Sequence, residues 1–287
     1  MNVLYWILIN FDEYISQLLI MNVEMKLVFK VCLLIVSLPL LTSCSSNQKE
    51  LVPVVLKADS IDQILPLEDS LVMPVLYQRI PNLNTVPIAT SKEKFIAVVL
   101  PAILVAKYNL NKEQQSIRSL LLKKTWNAND SIFYKTQLKR FKAKDIQDLF
   151  VRMATHPNSI ILAQAAVESG WGSSRFCQEA NNLFGIWSYS TDEPRIPAKG
   201  SNVFLRKYSD ISKSIEDYFV TIGRAGAYHS FRTIRMKSEN ISQLLPHLKK
   251  YSERGLEYTK QLQKIIDQND FRKYDNYAID PNYLVAQ

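Results

Sequence analysis

Ile160-Ile-Leu-Ala-Gln-Ala-Ala-Val-Glu168-Ser-Gly-Trp-Gly172, continued by Ser173-Ser-Arg-Phe176 and Asn181-Asn-Leu-Phe-Gly-Ile-Trp187, is the stretch on which the reading of this chain turns. Ile160 to Val167 is an almost unbroken apolar run of helical character, and Pro157 suits the first turn because its missing N–H would be unpaired there anyway. Gly170 tolerates the positive φ needed where the helix stops, and Gly172 lets the chain pass close to whatever lies over Glu168. One carboxylate therefore closes a buried helix and faces tryptophan and glycine. Burial disfavours the charged form and lifts the pKa, and an acid that keeps its proton near neutral pH can donate it to a glycosidic oxygen. The plain alternative is a helix-terminal glutamate in water beside a chance tryptophan.

Gln164-Ala-Ala-Val-Glu-Ser-Gly-Trp-Gly172, then Ser174-Arg-Phe176 and Asn181-Asn-Leu-Phe-Gly-Ile186, resembles the signature of the bacterial glucosaminidase family, glycoside hydrolase family 73. That family includes autolysins, flagellar peptidoglycan hydrolases and a Bax-like branch. The resemblance spans roughly residues 94–274 and is clearest over 157–232. It implies a lysozyme-like fold, predominantly helical α+β, with a small β-hairpin flanking the active-site groove. It also implies peptidoglycan glycan strands as substrate, cut after N-acetylglucosamine, with Glu168 matching the family's catalytic acid.

Leu183 to Tyr208 breaks the helical pattern: β-branched and aromatic residues interrupted by Asp192-Glu193-Pro194 and Lys199-Gly-Ser-Asn202 read as a hairpin with turns. A glycosidase that works with a second carboxylate needs it across the groove from the acid, and the separation decides whether it attacks the sugar or activates water. Glu193 and Asp192 are the candidates here. The family's second glutamate precedes an aromatic-Arg-x-Tyr stretch; Leu205-Arg-Lys-Tyr208 resembles it and favours Glu193, although the segment after Ile186 is shorter than in flagellar members. The substrate's own N-acetyl group is the alternative nucleophile. Gly226-Ala-Tyr228 resembles the family's final tyrosine block and makes Tyr228 a candidate support at the reacting sugar. Trp171, Phe184 and Trp187 are candidate faces for sugar rings or else core, while Asn181 and Asn182 turn the chain into the hairpin, one amide being available to substrate.

Outside this region, Met25-Lys-Leu-Val-Phe-Lys30, an apolar run to Leu41 and Leu41-Thr-Ser-Cys44 read as a lipoprotein signal, in which Cys44 is acylated. Two or three acyl chains would anchor the protein stably. The expectation is attachment on the periplasmic side of the cell envelope, with a weak preference for the outer membrane because Ser45 is not aspartate. The chain carries a net charge of +8; removing residues 1–43 deletes Lys26 and Lys30 but also Asp12, Glu13 and Glu24, raising the balance by one. Such charge favours an anionic polymer. Export and the lack of a basic helix with interleaved aromatics argue against nucleic acid. With Cys32 in the signal and Cys44 lipidated, Cys177 remains as a small buried packing residue. His156, His229 and His247 lack ligand spacing, so neither metal nor cofactor is expected.

The expected organisation is an upstream segment and signal over 1–43, a proline-scattered tether over 44–89, and one catalytic domain over 90–280 acting as a monomer. The domain begins at the capping-box spacing of Thr90-Ser-Lys-Glu93, ahead of an apolar stripe from Phe95 to Leu104. Further helical patterns fall at about 112–123, 143–155, 173–180, 211–223, 238–250 and 254–268. Two rivals remain open: a lytic transglycosylase of the same fold, which needs only one acid, and a non-catalytic lipoprotein that uses the groove to hold glycan.

Overall fold

Phe95 to Ala106 is apolar on every side, and a helix of that kind must lie inside the protein. In the computed structural model, which describes residues 49–286, that run is the buried middle of one 35-residue helix, α1 (Ile88–Leu122). Thr90 to Glu93 lies inside it, because the helix starts at Ile88 behind Pro87; the capping-box reading is thereby corrected, and the patterns from Thr90 and from Lys112 belong to a single element. Pro101 stands in its buried stretch. A proline there removes a backbone hydrogen bond, so tertiary packing on all sides holds this helix.

Around α1 the chain adds α2 (Ala128–Phe141), α3 (Ile146–Met153), α4 (Asn158–Ser169), α5 (Arg175–Ala180), α6 (Ile211–Arg224), α7 (His229–Arg235), α8 (Ile241–Leu244) and α9 (Leu256–Gln268). Of these α2 and α7 are unanticipated. α2 has a signal nonetheless: Asn127 accepts from the Asp130 N–H and the Asp130 carboxylate accepts from the Asn127 N–H, a reciprocal cap. α4 is buried along its apolar run, Ile160, Ile161 and Leu162 all being 0 % exposed, and each such side chain stabilises by roughly 1.5–3 kcal/mol. It packs against α1, α9 and the 3₁₀ turn Phe271–Asn276, while α6 covers another face of α1.

The expected hairpin is a three-stranded antiparallel sheet, with β5 (Trp187–Ser188) and β6 (Arg195–Pro197) on either side of β7 (Phe204–Arg206). Residues 49–89, expected as a tether, are folded instead. β1 (Lys49–Leu51) pairs antiparallel with β9 (Leu284–Ala286), β2 (Val54–Lys57) pairs parallel with β4 (Val75–Arg79), and β3 (Leu71–Val72) pairs parallel with β8 (Ala278–Ile279). Val75, Leu76 and Tyr77 are buried, and the Tyr77 hydroxyl accepts from the Leu65 N–H at 2.9 Å. Residues 49–286 belong to one unit. These strands span two to five residues, too few for an alternating pattern, and Pro53 and Pro74 flank them at positions where no ladder N–H is needed. The signal and Cys44 lie outside the described residues.

Candidate active site

Glu168 occupies the last turn of α4, and Gly170, with φ 56° and its N–H on the Ala166 and Val167 carbonyls, ends that helix. Trp171 and Gly172 continue in the left-handed region at φ 57° and 80°. The turn is pinned by Ser169, whose hydroxyl donates to the Ala165 carbonyl and accepts from the Gly172 N–H. A Cβ on Gly172 would come within 3.3 Å of Phe95. After this reversal the Trp171 ring lies between Phe95 (centroids 5.4 Å apart) and Phe271 (6.1 Å), with the Lys92 ammonium over it. The indole expected beside Glu168 is thus part of the frame.

Phenols take its place. The Tyr258 hydroxyl, from α9, donates to Glu168 Oε1 at 2.8 Å and accepts from the Gln164 amide at 3.0 Å. Tyr218 on α6 donates to Gln164 Oε1 at 2.6 Å and meets His156 Nε2 at 2.8 Å. Each hydroxyl has one proton to give, so the direction follows: Tyr258 donates to the acid, Gln164 supplies its amide to Tyr258, Tyr218 donates to the Gln164 carbonyl, and His156 must donate from Nε2. The four groups behind Glu168 are buried and their donors all point toward it. Tyr251 stacks on Tyr258 at 5.8 Å, and Tyr228, in the 3₁₀ turn Gly226–Tyr228, lies 6.0 Å from Tyr251.

Burial raises the Glu168 carboxyl above its ordinary value, opposed by the hydrogen bond from Tyr258 and the charge of Arg254. A partly buried carboxyl that keeps its proton longer than usual is what a general acid needs. Burial and the Glu168 charge push the Tyr228 phenol up to about 12, so it stays a neutral donor.

The sheet holds the other candidate. Glu193 Oε1 accepts from the Ser188 hydroxyl at 2.7 Å and from Arg206 Nε at 3.2 Å. Arg206 also donates to Asp217 on α6 at 2.6 Å, and the Tyr208 hydroxyl reaches the same carboxylate oxygen at 2.7 Å. Arg206 and Tyr208, two apart, thereby fasten the sheet to α6. Asp192 is an exposed turn residue. Glu168 and Glu193 belong to different hydrogen-bond networks, one lined by phenols and one clamped by a guanidinium.

Among the proposed sugar contacts, Trp187 is 52 % exposed and tilted toward Tyr189. Phe184 is buried, stacked on Tyr218 at 4.4 Å. Asn182 is consumed locally: its amide donates to the Ile186 and Arg206 carbonyls and its oxygen accepts from the Ile186 N–H. Phe184 and Asn182 thus both have partners within the protein frame. Cys177 is buried and free, its thiol pushed up to about 12. Among the described residues no three His, Cys, Asp or Glu side chains converge as a metal site.

Tyr258 and Gln164 were open to notice: Tyr258 shares a helix face with buried Leu262 and Ile266, so its hydroxyl needs a partner, and Gln164 lies one helical turn before Glu168 in an apolar run. Tyr251 and Arg254 carry no such mark.

The sequence profile described as glucosaminidase, mannosyl-glycoprotein endo-beta-N-acetylglucosaminidase, matches residues 143–287, and the chain belongs to this family. Protein bax of Escherichia coli (strain K12) is 26 % identical over 205 residues, covering 66 % of this chain and 74 % of that protein. Among solved structures, the catalytic domain of the autolysin Auto from Listeria monocytogenes matches with a TM-score of 0.36 at 18 % identity, over 53 % of this chain and 100 % of that one. The glycoside hydrolase domain of FlgJ from Salmonella typhimurium matches with a TM-score of 0.34 at 24 % identity, over 47 % and 87 %.

Proposed function

We propose that this chain is an endo-β-N-acetylglucosaminidase that cuts the glycan strands of peptidoglycan, with Glu168 as general acid. The observation that carries the reading is the Glu168 carboxyl itself: partly buried, raised by that burial, and fixed through Oε1 by Tyr258. With Oε1 engaged, Oε2 is left to carry the proton to the glycosidic oxygen. Family membership supplies the class of bond. Glu193, its charge fixed by Arg206 and Ser188, is the proposed second carboxylate, acting as base or stabiliser of the developing oxocarbenium ion. Tyr228 is the proposed neutral donor beside the reacting sugar, and Trp187 the exposed ring face beneath it. The chain is read as a monomer held to the periplasmic side of the envelope by lipid on Cys44.

The clamp on Glu193 also favours a second reading, since a carboxylate already engaged by a guanidinium is a weaker nucleophile or base. One acid then acts alone, with either the substrate's N-acetyl group or internal transfer completing the reaction. Mass spectrometry of products from purified peptidoglycan separates these. Reducing N-acetylglucosamine ends support the glucosaminidase, anhydro-muramyl ends the transglycosylase, and retention of the wall without cleavage a binding module.

A further inference from the structure

At the far end of the hydrogen-bonded chain from Glu168, the side chains of Lys107, His156, Arg235, Ser238, Glu239 and Asp275 border a cavity of about 140 Å³. Two of its walls are built of polar groups without partners. Arg235 is 7 % exposed; its Nη2 donates to the Val151 and Arg152 carbonyls, while Nε and Nη1 have no acceptor. His156 is 5 % exposed and its Nδ1 has no partner. Because Nε2 must donate to Tyr218, Nδ1 carries a bare lone pair that wants a donor. Orphaned polar atoms at this depth cost free energy unless something fills the space.

The acidic neighbours do not fill it. Both Asp275 oxygens accept from Ser159, one from its N–H and one from its hydroxyl, and Glu239 lies on the exposed rim. Lys107 gives one N–H to Asn158 Oδ1 at 2.6 Å. Burial holds Lys107 down to about 8 against the opposing charges of Asp275 and Glu239, and holds Arg235 down to about 9 with the Arg232 charge adding to the effect.

A ligand that answers this inventory accepts from Arg235 with one part and donates to His156 with another. We infer that the cavity is a binding site for a small oxyanion that still bears a proton, of which inorganic phosphate is the type. The space suits a free ion of five heavy atoms, given the roughly 10–15 Å³ of such volume that one water needs. Phosphate keeps at least one O–H near neutral pH, whereas sulfate has none. Occupancy would satisfy the Nδ1 lone pair and hold the donor chain aimed at Glu168; only that last consequence rests on the function proposed above.

The test is calorimetric titration of the full chain with phosphate and with sulfate at matched ionic strength, repeated on Lys107→Gln, whose amide retains a donor for Asn158, and on Arg235→Lys. One saturable phosphate site, bound about tenfold more tightly than sulfate and weakened about tenfold in folded Arg235→Lys, which lacks the Nε and Nη1 donors, and in folded Lys107→Gln, is the expected result. No saturable phosphate binding, equal binding of the two anions, or an unchanged Kd in either folded variant overturns the inference. Because binding is read without substrate, failure of the proposed catalysis leaves this test intact.

Discussion

Tyr258 and Glu168, ninety residues apart in sequence, are joined by a hydrogen bond of 2.8 Å in which the phenol donates to Oε1. That bond favours the carboxylate and so restrains the rise that burial imposes. In Tyr258→Phe the restraint is gone and Glu168 titrates higher. The alkaline limb of the kcat/KM profile then moves to higher pH, while kcat falls about tenfold as the carboxyl loses its anchor. A limb that stays in place would show that the phenol has no hold on the acid.

Glu168→Gln removes the transferable proton and keeps the shape. Loss of about 10²–10⁴ in kcat on purified peptidoglycan is expected. Stability should move the other way. A carboxyl whose folded value is raised above 4.5 loses stabilisation as pH climbs through the interval between its unfolded and folded values, and a neutral amide does not. The variant should therefore melt a few degrees higher than the parent at pH 7 by calorimetry.

Arg206 separates the two roles open to Glu193. If Glu193 acts on the reaction, Glu193→Gln lowers kcat about 10²-fold with little change in melting temperature, since Ser188 still has an acceptor. Equal losses of activity and stability in Glu193→Gln and Arg206→Met would instead make the pair a brace for the sheet.

His156 is held well below 6.5 by burial, with the charges of Arg235 and Lys107 adding to the effect. A base depressed in the folded state stabilises fully above its unfolded value, and that stabilisation is lost as pH falls below 6.5, at up to about 1.4 kcal/mol per pH unit for one proton. Glu168 has the opposite sign, so the experiment belongs in the Glu168→Gln background. Urea unfolding from pH 7.5 to 5 should show the slope there, and adding His156→Gln should flatten it.

Gly223 on α6 is a packing prediction. A Cβ there would lie 2.6 Å from the Arg152 carbonyl oxygen and 2.8 Å from Phe141 Cδ1. Gly223→Ala should cost about 1–3 kcal/mol or more in urea unfolding despite alanine's better helix propensity, because backbone on one side and a buried ring on the other leave no room to yield.

What could be read beforehand was whatever one segment decides for itself. The apolar run of α4, the glycine that ends it and the buried, inert Cys177 all follow from local composition. Partners distant in sequence were hidden. Trp171 looked like the neighbour of Glu168 because it is three residues away, but a turn through three left-handed residues sends it to Phe95 and Phe271, and Tyr258 arrives from another helix. Asn182 and Phe184 had the right chemistry for sugar and were claimed by the Ile186 and Arg206 backbone and by Tyr218. Strands β1 and β3 were read as tether because their partners, β9 and β8, lie more than two hundred residues on, and β2 and β4, which pair with each other, because strands of four and five residues are too short to show an alternating pattern.

The pairing of Lys49 with Ala286 and Leu51 with Leu284 makes the domain close on itself like a clasp. A short loop from 286 back to 49 would bridge neighbouring strands at small entropic cost, so new termini opened in an exposed connection, such as that between α1 and α2, should yield a permuted chain with the same core and the same Glu168. Traction applied at 49 and 286 would, conversely, unzip this ribbon before it strained the helices around the acid.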